Sequence, residues 1–158
     1  MKLSITQIAG LASLAGFSGQ DLSTAVAVAL AESGGDPSAY NPEKAAGATE
    51  GHGSFGLWQI YLTAHPEYQG VNLTDPQTNA NAAYATYAQA GNSFRPWSTF
   101  KSGAYLAYMD QVTATLTAPD AGTDSSGGDG STGGAGTVLP LIIGAVILWW
   151  GINYLTGR

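Results

Sequence analysis

The first apolar pattern in the chain has the spacing of an amphipathic helix. Its apolar positions are separated by polar residues and are Leu3, Ile5, Ile8, Leu11 and Leu14. This spacing places the apolar side chains on one face of a helix. A secretory signal peptide needs an unbroken apolar run after its positive residue, and this stretch has none. We therefore predict that it forms the first helix of a folded domain, not a leader.

A second helix is predicted downstream, and it carries an acid. Ser18 and Asp21 have the spacing of a capping box at its start, and Gly34 with Gly35 is typical of a helix end. The apolar positions of one face lie between these signals: Leu22, Ala25, Val26, Ala29 and Leu30. Glu32 follows in the last turn, about 90° from the centre of that face, at the edge of the core.

Two effects disfavour a charged carboxylate at Glu32. Partial burial removes water from it, and the negative end of the helix dipole repels it. A carboxylic acid that keeps its proton near neutral pH is what glycoside cleavage needs as a general acid. The alternative is an ordinary helix-end glutamate that points to water. Glu32 is therefore the first candidate catalytic residue.

Further along, the pattern divides the chain into three segments. Residues 1–118 are predicted to form the folded domain. Residues 119–136 are rich in Gly, Ser and Asp and have no large apolar side chain, which predicts a disordered linker. Residues 138–155 contain no charged group, and a helix of that length spans roughly 27 Å, close to the hydrocarbon thickness of a bilayer. We predict a membrane anchor over residues 137–158; a core helix of the domain is the alternative.

Composition excludes several classes of function. The chain has 158 residues and a net charge of -6, with only five Lys and Arg residues, so no basic patch is available for nucleic acid. It has no cysteine, which excludes disulfide bonds and thiolate metal sites. His52 and His65 are the remaining candidate metal ligands, but no HExxH spacing or third ligand accompanies them. We therefore expect neither a metal nor another cofactor.

Two motifs of the domain resemble a known family. Residues 29–40, ALAESGGDPSAY, and residues 53–60, GSFGLWQI, occur in the order and spacing of lytic transglycosylase domains of the goose-type lysozyme superfamily, as in phage and bacterial cell-wall proteins. The resemblance extends over about residues 3–110, through the stretches 65–67, 79–84 and 94–100. It implies a mainly helical, lysozyme-like α+β fold with a short β-containing excursion before GLWQI.

The resemblance also implies site residues. It makes Glu32 the general acid and base, Ser33 a residue that helps to hold the sugar and polarise the acid, and Gln59 part of the cleft. Flat aromatic faces pack on sugar rings, and the candidates for such contacts are Trp58, Tyr61, Tyr84, Tyr87 and Trp97. For each of them, a position in the core is the alternative.

The reaction depends on whether a second carboxylate lies near Glu32. Glu43, Glu50 and Asp75 are the candidates, and Glu50 is the best placed because it precedes GLWQI. With a second acid, the enzyme is a hydrolytic lysozyme. With Glu32 alone, the muramoyl O6 hydroxyl closes a 1,6-anhydro ring, and we favour this transglycosylase reaction. A domain that binds glycan without cleaving it is the other alternative.

The expected partners follow from these segments. They are peptidoglycan glycan strands for the domain and a lipid bilayer for the C-terminal helix, with phage capsid or other virion membrane proteins as further candidates. A wall-cleaving domain on a single terminal span, without an export signal, favours the internal membrane of a bacteriophage virion. The alternative location is a bacterial envelope.

Overall fold

The computed structural model describes residues 1–42 and 52–118 of the chain. In these residues it has five α-helices, one 3-10 helix and three short strands. In chain order they are α1 (Ile5–Ala15), α2 (Gly19–Ser33), β1 (Tyr40–Pro42), β2 (Gly53–Phe55), β3 (Ile60–Tyr61), the 3-10 helix (Pro66–Tyr68), α3 (Pro76–Gln89), α4 (Ser98–Lys101) and α5 (Leu106–Thr117). Many helices and one small sheet confirm the predicted α+β class.

Helix α1 starts at a capping box that its sequence pattern did not reveal. The Gln7 N–H donates to Ser4 Oγ at 3.2 Å, and the Ser4 N–H donates to Gln7 Oε1 at 2.9 Å. These bonds satisfy amide groups that have no partner inside the helix. The predicted apolar face is buried at Ile5 and Ile8, whereas Leu14 is 81% exposed. The buried face therefore ends before the helix does.

Helix α2 forms the centre of the core. Every residue from Ala25 to Ala29 is fully buried, because α1 and α5 both pack against the helix. The predicted apolar face is therefore too narrow, since Ala27 and Val28 are buried as well. The predicted capping box at the start of α2 is wrong. The Ser18 side chain makes no capping bond, and Asp21 Oδ2 instead accepts a 2.6 Å bond from the Tyr87 hydroxyl.

The three strands form one antiparallel sheet in the order β1, β2, β3. Tyr40 pairs with Phe55, and Phe55 pairs with Ile60. This sheet confirms the short β-containing excursion expected before GLWQI. It places the turn between β2 and β3 beside the segment that follows α2.

The predicted linker and membrane anchor lie outside the described residues, so both stay predictions. Among the residues that the structure does describe, no helix combines the length and the apolar character needed to cross a bilayer.

Candidate active site

Glu32 lies in the last turn of α2, at the edge of the core. The helix ends at Gly34, whose φ is 61° and whose N–H donates to Leu30 O at 2.8 Å. Glycine adopts this left-handed conformation without steric cost, which explains why the helix stops here. The Glu32 side chain is half-buried, as its predicted position requires. One carboxylate at a helix end is therefore within reach of a ligand.

A threonine from a distant part of the chain binds this carboxylate. Thr99 Oγ1 donates to Glu32 Oε1 at 2.7 Å. Thr99 lies on α4, a single helical turn that packs against α2, and it is half-buried. A bond from a hydroxyl to a carboxyl group is directional, so it fixes the orientation of the Glu32 carboxyl group.

Ser33, the neighbour of Glu32, uses its hydroxyl on the main chain. Its Oγ donates to Ala29 O at 2.8 Å and accepts the Gly35 N–H at 3.2 Å. A serine hydroxyl has one proton to donate, and here that proton goes to the helix. Ser33 thus supports the C-terminal end of α2, and its contact with a sugar stays a prediction.

Gln59 ends a tight turn that starts at Gly56. Its side-chain Nε2 donates to Gly56 O at 2.9 Å and to Ala39 O at 3.2 Å, and Ala39 O also accepts the Gly56 N–H at 2.8 Å. These bonds attach the turn to the segment that follows α2. Since both amide protons are used, Oε1 is the atom of this side chain that is left to accept a bond from a ligand.

Trp58 and Trp97 are two of the aromatic residues predicted to line a sugar groove, and the structure corrects this for both. Trp58 is 0% exposed and Trp97 is 5% exposed. The Trp58 indole N–H donates to Ala25 O at 2.9 Å, and the Trp97 indole N–H donates to Trp58 O at 2.7 Å. A ring without an exposed face cannot stack on a sugar. The two indoles instead connect α2, the turn and the start of α4.

The residues that form this candidate site lie in a region that matches one known protein family. The family model described as a lysozyme-like domain matches residues 9–99, which include Glu32, Gln59 and Thr99. The chain belongs to the lysozyme-like domain family. Membership supports an activity on peptidoglycan in general. No curated protein and no solved structure matches the chain significantly.

The tyrosines of the lysozyme-like domain lie in different places. Tyr61 on β3 is 36% exposed, and its role in sugar binding stays a prediction. The Tyr84 ring packs edge-on against Phe17 at 5.1 Å, and Tyr87 is buried and bound to Asp21. Asp21 is in the first turn of α2, roughly 16 Å along the helix from Glu32. Tyr87 therefore lies in the core, away from Glu32, which corrects its predicted contact with the sugar. Tyr84 is half-buried, and its contact with a sugar stays a prediction.

One of the candidate second acids has another role. The Asp75 carboxylate accepts bonds from Thr78 N at 2.8 Å and Thr78 Oγ1 at 2.7 Å, at the start of α3. These bonds hold the pKa of Asp75 below its ordinary value. Asp75 is thus an ionised helix cap in the lysozyme-like domain. Glu43 and Glu50 lie outside the described residues.

Of the two candidate metal ligands, His65 has a side-chain partner and His52 has a main-chain contact. His65 Nδ1 lies 3.2 Å from Glu67 Oε1, and the main-chain oxygen of His52 accepts a bond from the Tyr40 hydroxyl. Within residues 1–42 and 52–118, no group of three His, Asp or Glu side chains is placed to hold a metal ion.

Two residues of the site were not found from the sequence. Thr99 carries no signal of its own, because its bond joins residues 67 positions apart. Asn79 is fully buried, and it donates from Nδ2 to Phe55 O and accepts the Trp58 N–H at Oδ1, both at 2.9 Å. A buried amide in an Ala-rich helix is a signal for such a bridge, because buried polar groups are almost always hydrogen-bonded.

Proposed function

We propose that the protein is a peptidoglycan lytic transglycosylase, with Glu32 as its only acid and base. The observation that carries this proposal is the half-buried Glu32 carboxylate at the end of α2, which accepts a hydrogen bond from Thr99. The Gly56–Gln59 turn is attached by hydrogen bonds to the segment that follows Glu32. Membership of the lysozyme-like family supports the substrate class. The role of Asp75 as a helix cap removes one of the three candidate second acids.

The reaction needs one proton transfer in each direction. Protonated Glu32 donates its proton to the β-1,4 glycosidic oxygen between N-acetylmuramic acid and N-acetylglucosamine, and the bond to C1 of the muramic acid breaks. The Glu32 carboxylate then accepts the proton of the O6 hydroxyl of the same muramic acid while O6 bonds to C1. The products are a 1,6-anhydro end and a free 4-hydroxyl group, and no water is consumed.

The test uses the full chain and purified cell walls. Glu32→Gln keeps the size and shape of the side chain but cannot donate or accept the proton, so we expect release of muropeptides to be lost. Glu67→Gln makes the same chemical change at a half-exposed position and is expected to retain wild-type clearing. Circular dichroism of both variants checks that the fold is intact.

The alternatives give different results in the same experiment. Mass spectrometry of the products separates a transglycosylase from a lysozyme, because hydrolysis adds one water and anhydro formation adds none. A wild-type chain that binds walls without clearing them is a glycan-binding protein. Unchanged release by Glu32→Gln contradicts the assignment of this residue.

We also propose that residues 137–158 anchor the enzyme in a membrane, and that this is the internal membrane of a bacteriophage virion. The charge-free run 138–155 supports the anchor. A wall-cleaving domain joined to such a run fits local opening of the cell wall during entry. Finding the protein in the membrane fraction of purified virions is the expected result, and finding it exported by uninfected cells contradicts the location.

A further inference from the structure

Thr99, the hydrogen-bond partner of Glu32, lies on a very short helix that is not stable by itself. Helix α4 is only Ser98–Lys101, and a single turn of helix is unstable alone. Its N-cap residue Trp97 makes no side-chain capping bond. The position of Thr99 must therefore be fixed by contacts between α4 and the rest of the domain.

Two buried indoles supply those contacts. Trp58 Nε1 donates to Ala25 O of α2 at 2.9 Å, and Trp97 Nε1 donates to Trp58 O at 2.7 Å. Trp97 directly precedes α4, and Thr99 Oγ1 returns to α2 at Glu32. These hydrogen bonds therefore connect α4 to α2 at two places, at Ala25 near the middle of α2 and at Glu32 in its last turn. Displacing α4 from α2 would break hydrogen bonds of buried groups, which is costly.

The bond to Thr99 also makes the two oxygens of Glu32 different. A protonated carboxyl group has one hydroxyl oxygen and one carbonyl oxygen. Because Oε1 accepts the Thr99 proton, it is favoured as the carbonyl oxygen, and the acidic proton is carried by Oε2. The same Oε2 is then free to take back a proton in the second step.

We propose that Thr99 is a positioning residue for Glu32, whose hydroxyl fixes the carboxyl group so that Oε2 gives and takes the proton. This inference rests on the proposed function of Glu32 as acid and base. The competing explanation is structural: the bond only attaches α4 to α2, and the orientation of the carboxyl group does not matter. If Thr99 positions the carboxyl group, removing its hydroxyl lowers kcat even in a variant that folds normally. If its role is only structural, kcat falls only as far as stability does.

The experiment compares three threonine variants of the full chain, with kcat and KM measured on soluble glycan strands and Tm measured in parallel. Thr99→Val keeps the shape of the side chain and removes the hydroxyl. We expect its kcat to fall about 10- to 100-fold, since a misplaced catalytic group costs up to about 10² in rate. KM is expected to stay unchanged, because Thr99 acts on the acid. Thr99→Ser restores the hydroxyl and is expected to restore most of kcat.

Thr24→Val is the matched control. Thr24 lies on the same helix as Glu32, is buried, and donates from Oγ1 to Gln20 O at 3.0 Å. Thr24→Val loses this bond but leaves the Glu32 carboxyl group untouched, so its kcat should stay at the wild-type value, and its Tm shows how much stability the loss of such a hydroxyl bond costs. If Thr99→Val does not fold by circular dichroism, Thr99→Ala, which adds no bulk, carries the same expectation.

The outcomes separate this proposal from the one it rests on. Wild-type kcat and KM in Thr99→Val, with an inactive Glu32→Gln, overturn the role of Thr99 and leave the proposed function standing. A loss of kcat in Thr24→Val as large as in Thr99→Val, or no recovery in Thr99→Ser, shows a structural role and also overturns it. Full activity of Glu32→Gln overturns the proposed function itself.

Discussion

Gly56 shows how closely packed the turn next to the site is. Its φ is 75°, and a Cβ atom built on it would contact the side-chain amide of Asn79 and the main-chain oxygen of Leu73. Asn79 cannot move aside easily, because both ends of its amide are bound to the main chain of Phe55 and Trp58. Glycine is therefore required here for two separate reasons, the conformation and the space.

Gly91 separates these two reasons experimentally. It has almost the same φ, 74°, but no atom of residues 1–42 or 52–118 lies within 4 Å of its hypothetical Cβ. Gly91→Ala should reduce the free energy of unfolding by about 1 kcal/mol, the cost of a left-handed conformation. Gly56→Ala should cost about 1–3 kcal/mol more, because the added methyl group overpacks the turn. Urea unfolding measures both, and equal losses would show that the contacts around Gly56 are unimportant.

At the scale of elements, Asp21 and Tyr87 connect the start of α2 to α3. The Tyr87 hydroxyl donates to Asp21 Oδ2 at 2.6 Å. This bond, with burial of the ring, raises the pKa of Tyr87 to about 12, from an ordinary value of 10.0. The folded protein therefore keeps this proton at a pH where the unfolded chain has lost it.

The hydrogen bond between Tyr87 and Asp21 predicts that the protein loses stability at alkaline pH. The contribution of Tyr87 is present in full below about pH 10 and is lost as the pH rises to about 12. Tyr87→Phe lacks it at every pH, so the difference in free energy of unfolding between wild type and Tyr87→Phe should narrow from pH 9 to pH 12. Tyr105→Phe removes the hydroxyl of a half-buried tyrosine and keeps the Asp21–Tyr87 pair, so its difference from wild type should not follow this course. A constant difference for Tyr87→Phe contradicts the prediction.

Sequence patterns predicted where the first two helices lie better than they predicted which side chains of these helices are buried or bonded. The period of apolar residues located α1 and α2, and Gly34 marked the end of α2. The pattern assumed that one face of α2 is buried, and it failed at Ala27 and Val28 because neighbouring helices cover the other faces too. The predicted capping box at Ser18 failed because Asp21 binds the Tyr87 hydroxyl. The spacing of Ser18 and Asp21 cannot reveal a partner that lies so far along the chain.

At the scale of the whole molecule, the order of the two motifs predicted the family and made Glu32 the candidate acid. Features that depend on contacts between distant positions of the chain could not be predicted. Glu32 and Gln59 belong to local motifs, so they could be read from the sequence. Thr99 and the two indoles depend on contacts across 33 to 67 positions, which no local pattern encodes. The predicted sugar contacts of Trp58, Trp97 and Tyr87 failed for the same reason. An aromatic residue in a core and one on a sugar groove have the same composition and spacing.

The proposed membrane anchor over residues 137–158 makes a prediction of its own. Reconstituted in liposomes, the full chain should float with lipid and resist alkaline extraction, because residues 138–155 have no charged group. Replacing Ile143 and Val146 together by Arg costs about 2.5–3.5 kcal/mol per residue near the centre of a span, so this variant should stay at the bottom of the gradient. Replacing both by Leu keeps the run apolar and should leave flotation unchanged. All three proteins should cleave soluble glycan strands at the same rate, since the substitutions lie outside the lysozyme-like domain. Flotation of the Arg variant equal to that of the wild type would mean that residues 138–155 are not what binds the membrane.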